Sequence, residues 1–231
     1  MSVLKTGSAV LALVALATAP LALAQENELA WTMERAVKQL DRQGDDFETV
    51  LADAEIEWKK KSDGTDKKSK GRIYINEDGD FRLNAEQPDK VTTLLRKRVV
   101  YRYKPAESMV EEYSLSRHKA RLEPYIRLGF STTGKDLERD FLVTFIGEQE
   151  IVGRRTLGLE LTPKDDDMRA VVSRVELWMD EASWMPARQV ITEAGGGDTM
   201  TLTYTGTARN LDLNPDLFKD DWPKGTETVR K

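Results

Sequence analysis

The sequence predicts a mainly β protein with few helices: one curved antiparallel sheet, or an incomplete β-barrel of about eleven strands, with a helical plug and a lid. Three observations carry this. From residue 47 onward apolar side chains recur with a period of two. Turn signals recur at the 8 to 12 residue spacing of sheets and barrels. Only residues 28–43 and 117–130 break that rhythm with helical or irregular spacing.

Taken in order, residues 1–24 read as a cleavable signal peptide: Lys5 is the only early charge, an apolar run follows, and Ala22-Leu23-Ala24 supplies a small-residue cleavage site before the polar Gln25-Glu26-Asn27. Thr18 and Pro20 interrupt the run, which is short for a spanning helix of about 20 residues. Residues 25–231 are expected to form one domain, exported to the periplasm and freely soluble after cleavage, with a core that rests on burial alone because the chain has no cysteine. The same lack excludes lipidation of the chain itself, thiolate metal sites and cysteine nucleophiles.

Residues 28–43 place Leu29, Met33, Val37 and Leu40 on one helical stripe, with Gly44 as the stop. The first strand alternates Val50, Ala52, Ala54, Ile56 and Trp58 against mostly polar partners. A polar loop is expected over residues 60–70, followed by Ile73 and Ile75. Asp78-Gly79 then reads as a two-residue primed turn, beyond which Phe81, Leu83 and Ala85 keep the same parity. Further strands are expected near 91–97, 99–104 and 108–115, with Tyr101 and Tyr103 facing one way. Residues 117–130, around Pro124, read as a short helix or a mobile lid. Period two returns with Phe141, Val143 and Phe145; with Leu157, Leu159 and Leu161; with Val171, Val175, Leu177 and Met179; and in two last strands near 185–194 and 199–208, joined across Gly195-Gly196-Gly197.

Catalytic chemistry is hard to place. His118 is the only histidine, so a two-histidine zinc motif cannot be built and a Ser-His-Asp triad has no serine to single out. No nucleophile elbow, P-loop or dinucleotide fingerprint occurs. The acidic run Asp165-Asp166-Asp167 lacks calcium-loop spacing and reads as a solvated hairpin tip. No enzyme activity, metal or cofactor is expected, and a net charge of −5 argues against a nucleic-acid partner. Two basic clusters, residues 59–70 and Arg96-Lys97-Arg98 with Arg102 and Lys104, are either charged hairpin tips or contacts for anionic headgroups or an acidic membrane partner.

Several segments in order are similar to the LolA family of periplasmic lipoprotein carriers: Gly71-Arg72-Ile73-Tyr74-Ile75, Phe81-Arg82-Leu83, Val100-Tyr101-Arg102-Tyr103-Lys104-Pro105, Leu159-Glu160-Leu161-Thr162-Pro163, and Phe218 followed by Pro223-Lys224-Gly225. The resemblance implies an incomplete barrel of about eleven strands closed by helices and holding lipid-modified termini away from water. The family's arginine latch after the second strand has no counterpart in Asn76-Glu77-Asp78-Gly79. On this resemblance and on strand parity, the acyl-chain cavity is assigned to Trp58, Ile73, Ile75, Phe81, Leu83, Tyr101, Tyr103 and Leu159. The lid is assigned to Leu122, Tyr125, Ile126 and Phe130, and the plug to the first helix. The implied partners are acylated lipoproteins or another lipid, an inner-membrane lipoprotein-releasing transporter and an outer-membrane acceptor, with the carrier a monomer. A lipid-binding or envelope-stress sensor without a transport role, and an envelope protein with a filled core, stand as alternatives.

Overall fold

A computed structural model describes residues 31–61, 63–115 and 123–231. The expected signal peptide, Leu29, His118 and Leu122 lie outside the described residues.

Twelve strands form one open, mixed sheet in the order β12-β6-β5-β4-β3-β2-β1-β11-β10-β9-β8-β7. They are β1 Val50–Lys59, β2 Asp66–Ile75, β3 Phe81–Gln87, β4 Val91–Arg96, β5 Val99–Lys104, β6 Met109–Ser114, β7 Phe141–Ile151, β8 Arg154–Pro163, β9 Val172–Asp180, β10 Pro186–Glu193, β11 Thr199–Arg209 and β12 Glu227–Arg230. Eleven of them pair antiparallel. The twelfth, which sequence reasoning did not expect, adds to β6 in parallel.

Strand alternation splits the sheet into two faces. Register carries Val50, Ala52, Ala54 and Ile56 across to Ile73 and Ile75 on one side, and to Leu202 and Tyr204 on the other. The same face continues through Leu83, Phe81 and Val100, and through Leu177 and Leu159. The sheet curls around it: the Arg154 guanidinium at the start of β8 donates to the Tyr204 carbonyl of β11. On a flat sheet those strands lie about 14 Å apart, three strand spacings, beyond an arginine's reach.

Two local expectations change. Residues 66–70 are strand rather than loop, because Lys68 and Lys70 lie opposite Glu57 and Glu55 and pair with them at 3.1 and 2.6 Å; the polar run has a partner that satisfies it. The β2–β3 connection is a hairpin, but not with a two-residue primed turn. Gly79 N–H donates to the Asn76 carbonyl at 2.9 Å, Ile75 pairs with Phe81, and Gly79 alone in this loop takes a positive φ, +74°. That is a three-residue loop, a four-residue turn over residues 76–79 that ends on a left-handed glycine.

Helix α1, Met33–Asp45, is capped by Thr32, whose hydroxyl accepts from the Arg35 N–H at 3.3 Å. It buries Ala36, Val37 and Leu40; of the expected stripe, Met33 is half-buried and Leu29 lies outside the described residues. Its neighbour is α3, Gly134–Asp140. Gly134 sits so close to the Val37 carbonyl that no side chain fits there, and the Lys135 N–H donates to Asp41 at 3.0 Å. Among the described residues the remaining α-helices are the one-turn α2, Glu123–Ile126, and α4, Asp166–Arg169, and 3-10 turns occur at Pro105–Glu107 and Pro215–Phe218. The acidic run therefore starts a helix: Asp165 caps α4 by accepting from the Met168 N–H.

Candidate functional site

The candidate site is the apolar face of the sheet and the segment 123–130 that crosses it. Helix α2 and the turn after it bury Tyr125, Ile126 and Phe130. At one end of the segment the Arg127 guanidinium donates to the Gly79 carbonyl in the β2–β3 hairpin. In the middle, the Leu128 carbonyl accepts from Gln189 Nε2 of β10 at 2.5 Å, and Gly129 lies against Leu177 of β9 and Pro186 of β10. At the other end Phe130 meets Tyr204 of β11 edge-on, with centroids 4.9 Å apart. The segment therefore spans the face from the second hairpin to the ninth, tenth and eleventh strands.

Among the described residues, polar bonds join the segment to the β2–β3 hairpin and to β10. Tyr204, wholly buried, donates its hydroxyl to Gln189 Oε1 at 2.5 Å, so Gln189 passes one hydrogen bond from the sheet into the backbone of segment 123–130. Burial pushes the Tyr204 hydroxyl well above its ordinary range, which keeps it a neutral donor. Burial also lowers the Arg127 guanidinium, opposed by the nearby Asp80 carboxylate. The Nε of Arg127 is buried with no hydrogen-bond partner, so its fit is imperfect and costs part of what the bond to Gly79 contributes. Arg127, Gln189 and Tyr204 were not singled out from the sequence. The available signal was polar residues at positions of apolar parity, as for Gln189 and Tyr204, and a cation set between Ile126 and Leu128.

Of the eight residues assigned to the cavity, the structure brings five to this face: Ile73, Ile75, Phe81, Leu83 and Leu159. Trp58 shares their parity but stands near the far end of β1, half-buried opposite Lys67 and Met200. Tyr101 and Tyr103 are on the other face, a correction that strand alternation requires: Val100, fully buried, holds the inner position of β5. The two tyrosines lie against Trp222, at 6.2 and 5.1 Å between centroids. Burial and the nearby Asp220 push the Tyr101 hydroxyl up to about 12. Of the residues assigned to the lid, Tyr125, Ile126 and Phe130 are buried and Phe130 meets Tyr204 on the face, whereas Leu122 lies outside the described residues.

A standing cavity is not what the face contains. Ile73, Ile75, Phe81 and Leu159 are each 0% exposed, so no water-sized space touches them. The two best-formed hollows among the described residues, of about 220 and 210 Å³, open instead on the outer face over β1, β2 and β11. Paired Glu55, Glu57, Lys68 and Lys70 line the larger. Several cations of the expected basic clusters are ion-paired: Lys59 and Lys68 pair with Glu57, Lys70 with Glu55, Arg96 bridges Asp80 at 3.6 Å and Asp220 at 3.3 Å, and Lys104 meets Glu111 at 3.2 Å. Among the described residues no cluster of three or more histidine, cysteine or carboxylate side chains could hold a metal, and no helix is long and apolar enough to cross a membrane.

The family profile described as outer membrane lipoprotein carrier protein LolA matches residues 47–221, from the start of β1 to the C-terminal segment. The chain belongs to the LolA family. None of the curated proteins matches it in sequence. Among solved structures, an uncharacterized conserved protein from Thermus thermophilus superposes with a TM-score of 0.54 at 13% identity, over 87% of this chain and all of that one. A putative outer membrane lipoprotein-sorting protein domain from Vibrio parahaemolyticus gives 0.45 at 15% identity, over 80% and 94% of the two chains. The Mycobacterium tuberculosis lipoprotein LppX gives 0.48 at 12%, over 79% and 98%. At these identities the solved structures bear on the fold alone. The LolA-family sheet is here open, mixed and twelve-stranded, and the family is one of carrier proteins.

Proposed function

We propose that this protein is a periplasmic carrier that shelters the acyl chains of lipoproteins, or of a related lipid, between the inner and the outer membrane. One observation carries the reading. A short segment, 123–130, crosses a curled apolar face of the LolA-family sheet and is tied to it at a few points, chiefly Arg127 on Gly79 and the Gln189–Leu128 bond. An acyl chain enters by displacing that segment and lying along Ile73, Ile75, Phe81, Leu83 and Leu159.

The energetics suit a carrier. Sheltering each CH₂ is worth about 0.8 kcal/mol, so one long chain represents on the order of 10 kcal/mol. Hydrogen bonds that involve an ion contribute about 1.5–3 kcal/mol. Entry is therefore favourable against the lid ties, whereas delivery needs help, which the lid supplies by competing for the face. Filling of the face in the closed form is part of this scheme, because a permanently open greasy cleft would associate in water. Collection from an inner-membrane lipoprotein-releasing transporter and delivery to an outer-membrane acceptor are the steps the family reading adds.

The test is release of a triacylated lipoprotein from inner-membrane vesicles into a soluble complex with the purified protein, followed by native mass spectrometry. A one-to-one complex that transfers its cargo to outer-membrane vesicles supports transport. Binding of a fluorescent fatty acid without lipoprotein release reduces the proposal to a lipid-binding module, and no binding of either overturns it.

A further inference from the structure

The two edges of the sheet are built very differently. The β12 edge is four residues long and bears the charges of Glu227 and Arg230, with Arg230 held to Glu112 at 3.4 Å; short, charged edges resist pairing. At the other edge β7 runs for eleven residues, and among the described residues no strand pairs with its far side. Its first half, Phe141-Leu142-Val143-Thr144-Phe145-Ile146, has no charge, no proline and no lysine. Leu142 is 62% exposed and Ile146 37%, two of the four large apolar side chains so exposed among the described residues.

The backbone parity of this edge is legible. The Lys164 N–H donates to the Asp140 carbonyl at 2.9 Å, so Asp140, and by alternation Leu142 and Thr144, turn their peptide groups toward β8. Val143 and Phe145 turn theirs outward. The segment is also symmetric in polarity about Thr144, with an aliphatic or aromatic pair on each side.

We propose that β7 pairs antiparallel with the same strand of a second copy of this chain, on a twofold axis through Thr144. In that register Val143 faces the partner's Phe145, and the outward peptide groups of each exchange four hydrogen bonds in all. Leu142 covers the partner's Ile146 on the outer face, and the two Thr144 side chains meet on the axis. The flanking carboxylates Asp140 and Glu148 approach one another, but each arrives with its own arginine: Arg139 at 2.7 Å from Asp140 and Arg155 at 3.4 Å from Glu148. No unpaired like charge opposes the contact. Pairing on one strand edge buries little area, so the association is weak and concentration-dependent. It replaces the monomer expected from the sequence, and it does not depend on the carrier reading.

The chain's lack of cysteine makes a direct test available. Opposed non-hydrogen-bonded residues have Cα atoms about 4.5 Å apart, within disulfide range. Sedimentation velocity of the protein without its first 24 residues, from roughly 1 to 200 µM, is expected to show a reversible monomer–dimer equilibrium. Oxidised Thr144→Cys is expected to be a covalent dimer, whereas Leu211→Cys, exposed elsewhere, stays monomeric. Val143→Pro removes an outward N–H without touching the β8 ladder and is expected to weaken the dimer by roughly tenfold or more. Should it fail to fold, Thr144→Arg tests the same axis. A monomer throughout that range, or cross-linking of Thr144→Cys no greater than that of Leu211→Cys, overturns the proposal.

Discussion

The sheet has a cover on each face, and the two are fastened differently. On the outer face residues 211–226 run over β3–β6. Phe218 is buried there, the Leu217 carbonyl accepts from Arg82 at 2.7 Å, Asp220 pairs with Arg96, and Trp222 lies on Tyr101 and Tyr103. This strap then continues into β12 and is anchored by strand pairing to β6. On the inner face, among the described residues, segment 123–130 has the Phe130–Tyr204 contact, the packing of Gly129 against Leu177 and Pro186, the Arg127–Gly79 bond and the Gln189–Leu128 bond, and no strand pairing. Both covers hide apolar residues of the same sheet. The difference teaches that two buried covers of one sheet can be anchored in different ways, one by strand pairing and the other by side-chain bonds at single points.

Four experiments break or sharpen that contrast. The largest effect is expected at the strap: Phe218→Ala should cost about 3–5 kcal/mol in chemical denaturation and leave acyl uptake by the folded fraction unchanged. Reduced uptake at full folding would mean that the strap also belongs to the binding face. Next, Tyr204→Phe removes the donor to Gln189 and leaves a buried acceptor unsatisfied, at about 1–3 kcal/mol, with faster hydrogen exchange confined to residues 123–130 and β10. Global rather than local loosening would count against Gln189 as a lid tie. Third, Arg127→Met is expected to change global stability by less than about 1 kcal/mol while raising the apparent affinity for a fluorescent fatty acid by about tenfold, because it weakens the closed state alone. An unchanged affinity would remove Arg127 from the latch.

The smallest effect concerns acid. Burial raises the Asp80 carboxyl above its ordinary range, although Asn76 and Arg96 oppose this. The folded state therefore holds that proton more tightly than the unfolded chain, and Asp80 adds stability as pH falls through its raised value. Glu111 is the opposite case: burial raises it, but Lys104 and Tyr113 outweigh burial and hold it low, so its contribution is present above the unfolded value and lost as pH falls through the lowered folded one. Denaturation midpoints between about pH 3 and 6 should show Asp80→Asn steepening the acid loss and Glu111→Gln making it shallower.

Strand boundaries were legible in the sequence wherever one face was apolar and the other wet: β3 to β6 and β8 to β11 run close to where alternation places them. Segment 123–130 was legible as part of residues 117–130, one of two stretches, with residues 28–43, where the period of two failed. The loop expected over residues 66–70 was misread because a lysine run carries no hint of the glutamates waiting on β1. The tyrosine pair was misread because parity fixes which residues share a face, but not which face is inward when both sides of a strand carry large side chains. Val100, one residue away, settles it only once β4 and β6 are in register beside it.

By itself, then, the chain determined its fold class, most of its strands, the absence of thiol chemistry and the irregular stretch that contains residues 123–130, since these follow from local periodicity and composition. Only the tertiary structure decided that Tyr204, Gln189 and Arg127 join segment 123–130 to the sheet, that Tyr101 and Tyr103 lie under Trp222, and that Ile73, Ile75, Phe81 and Leu159 are fully buried. The physical reason is that such contacts join residues far apart in sequence, and their energies exist only after the sheet has curled to bring them within hydrogen-bonding distance.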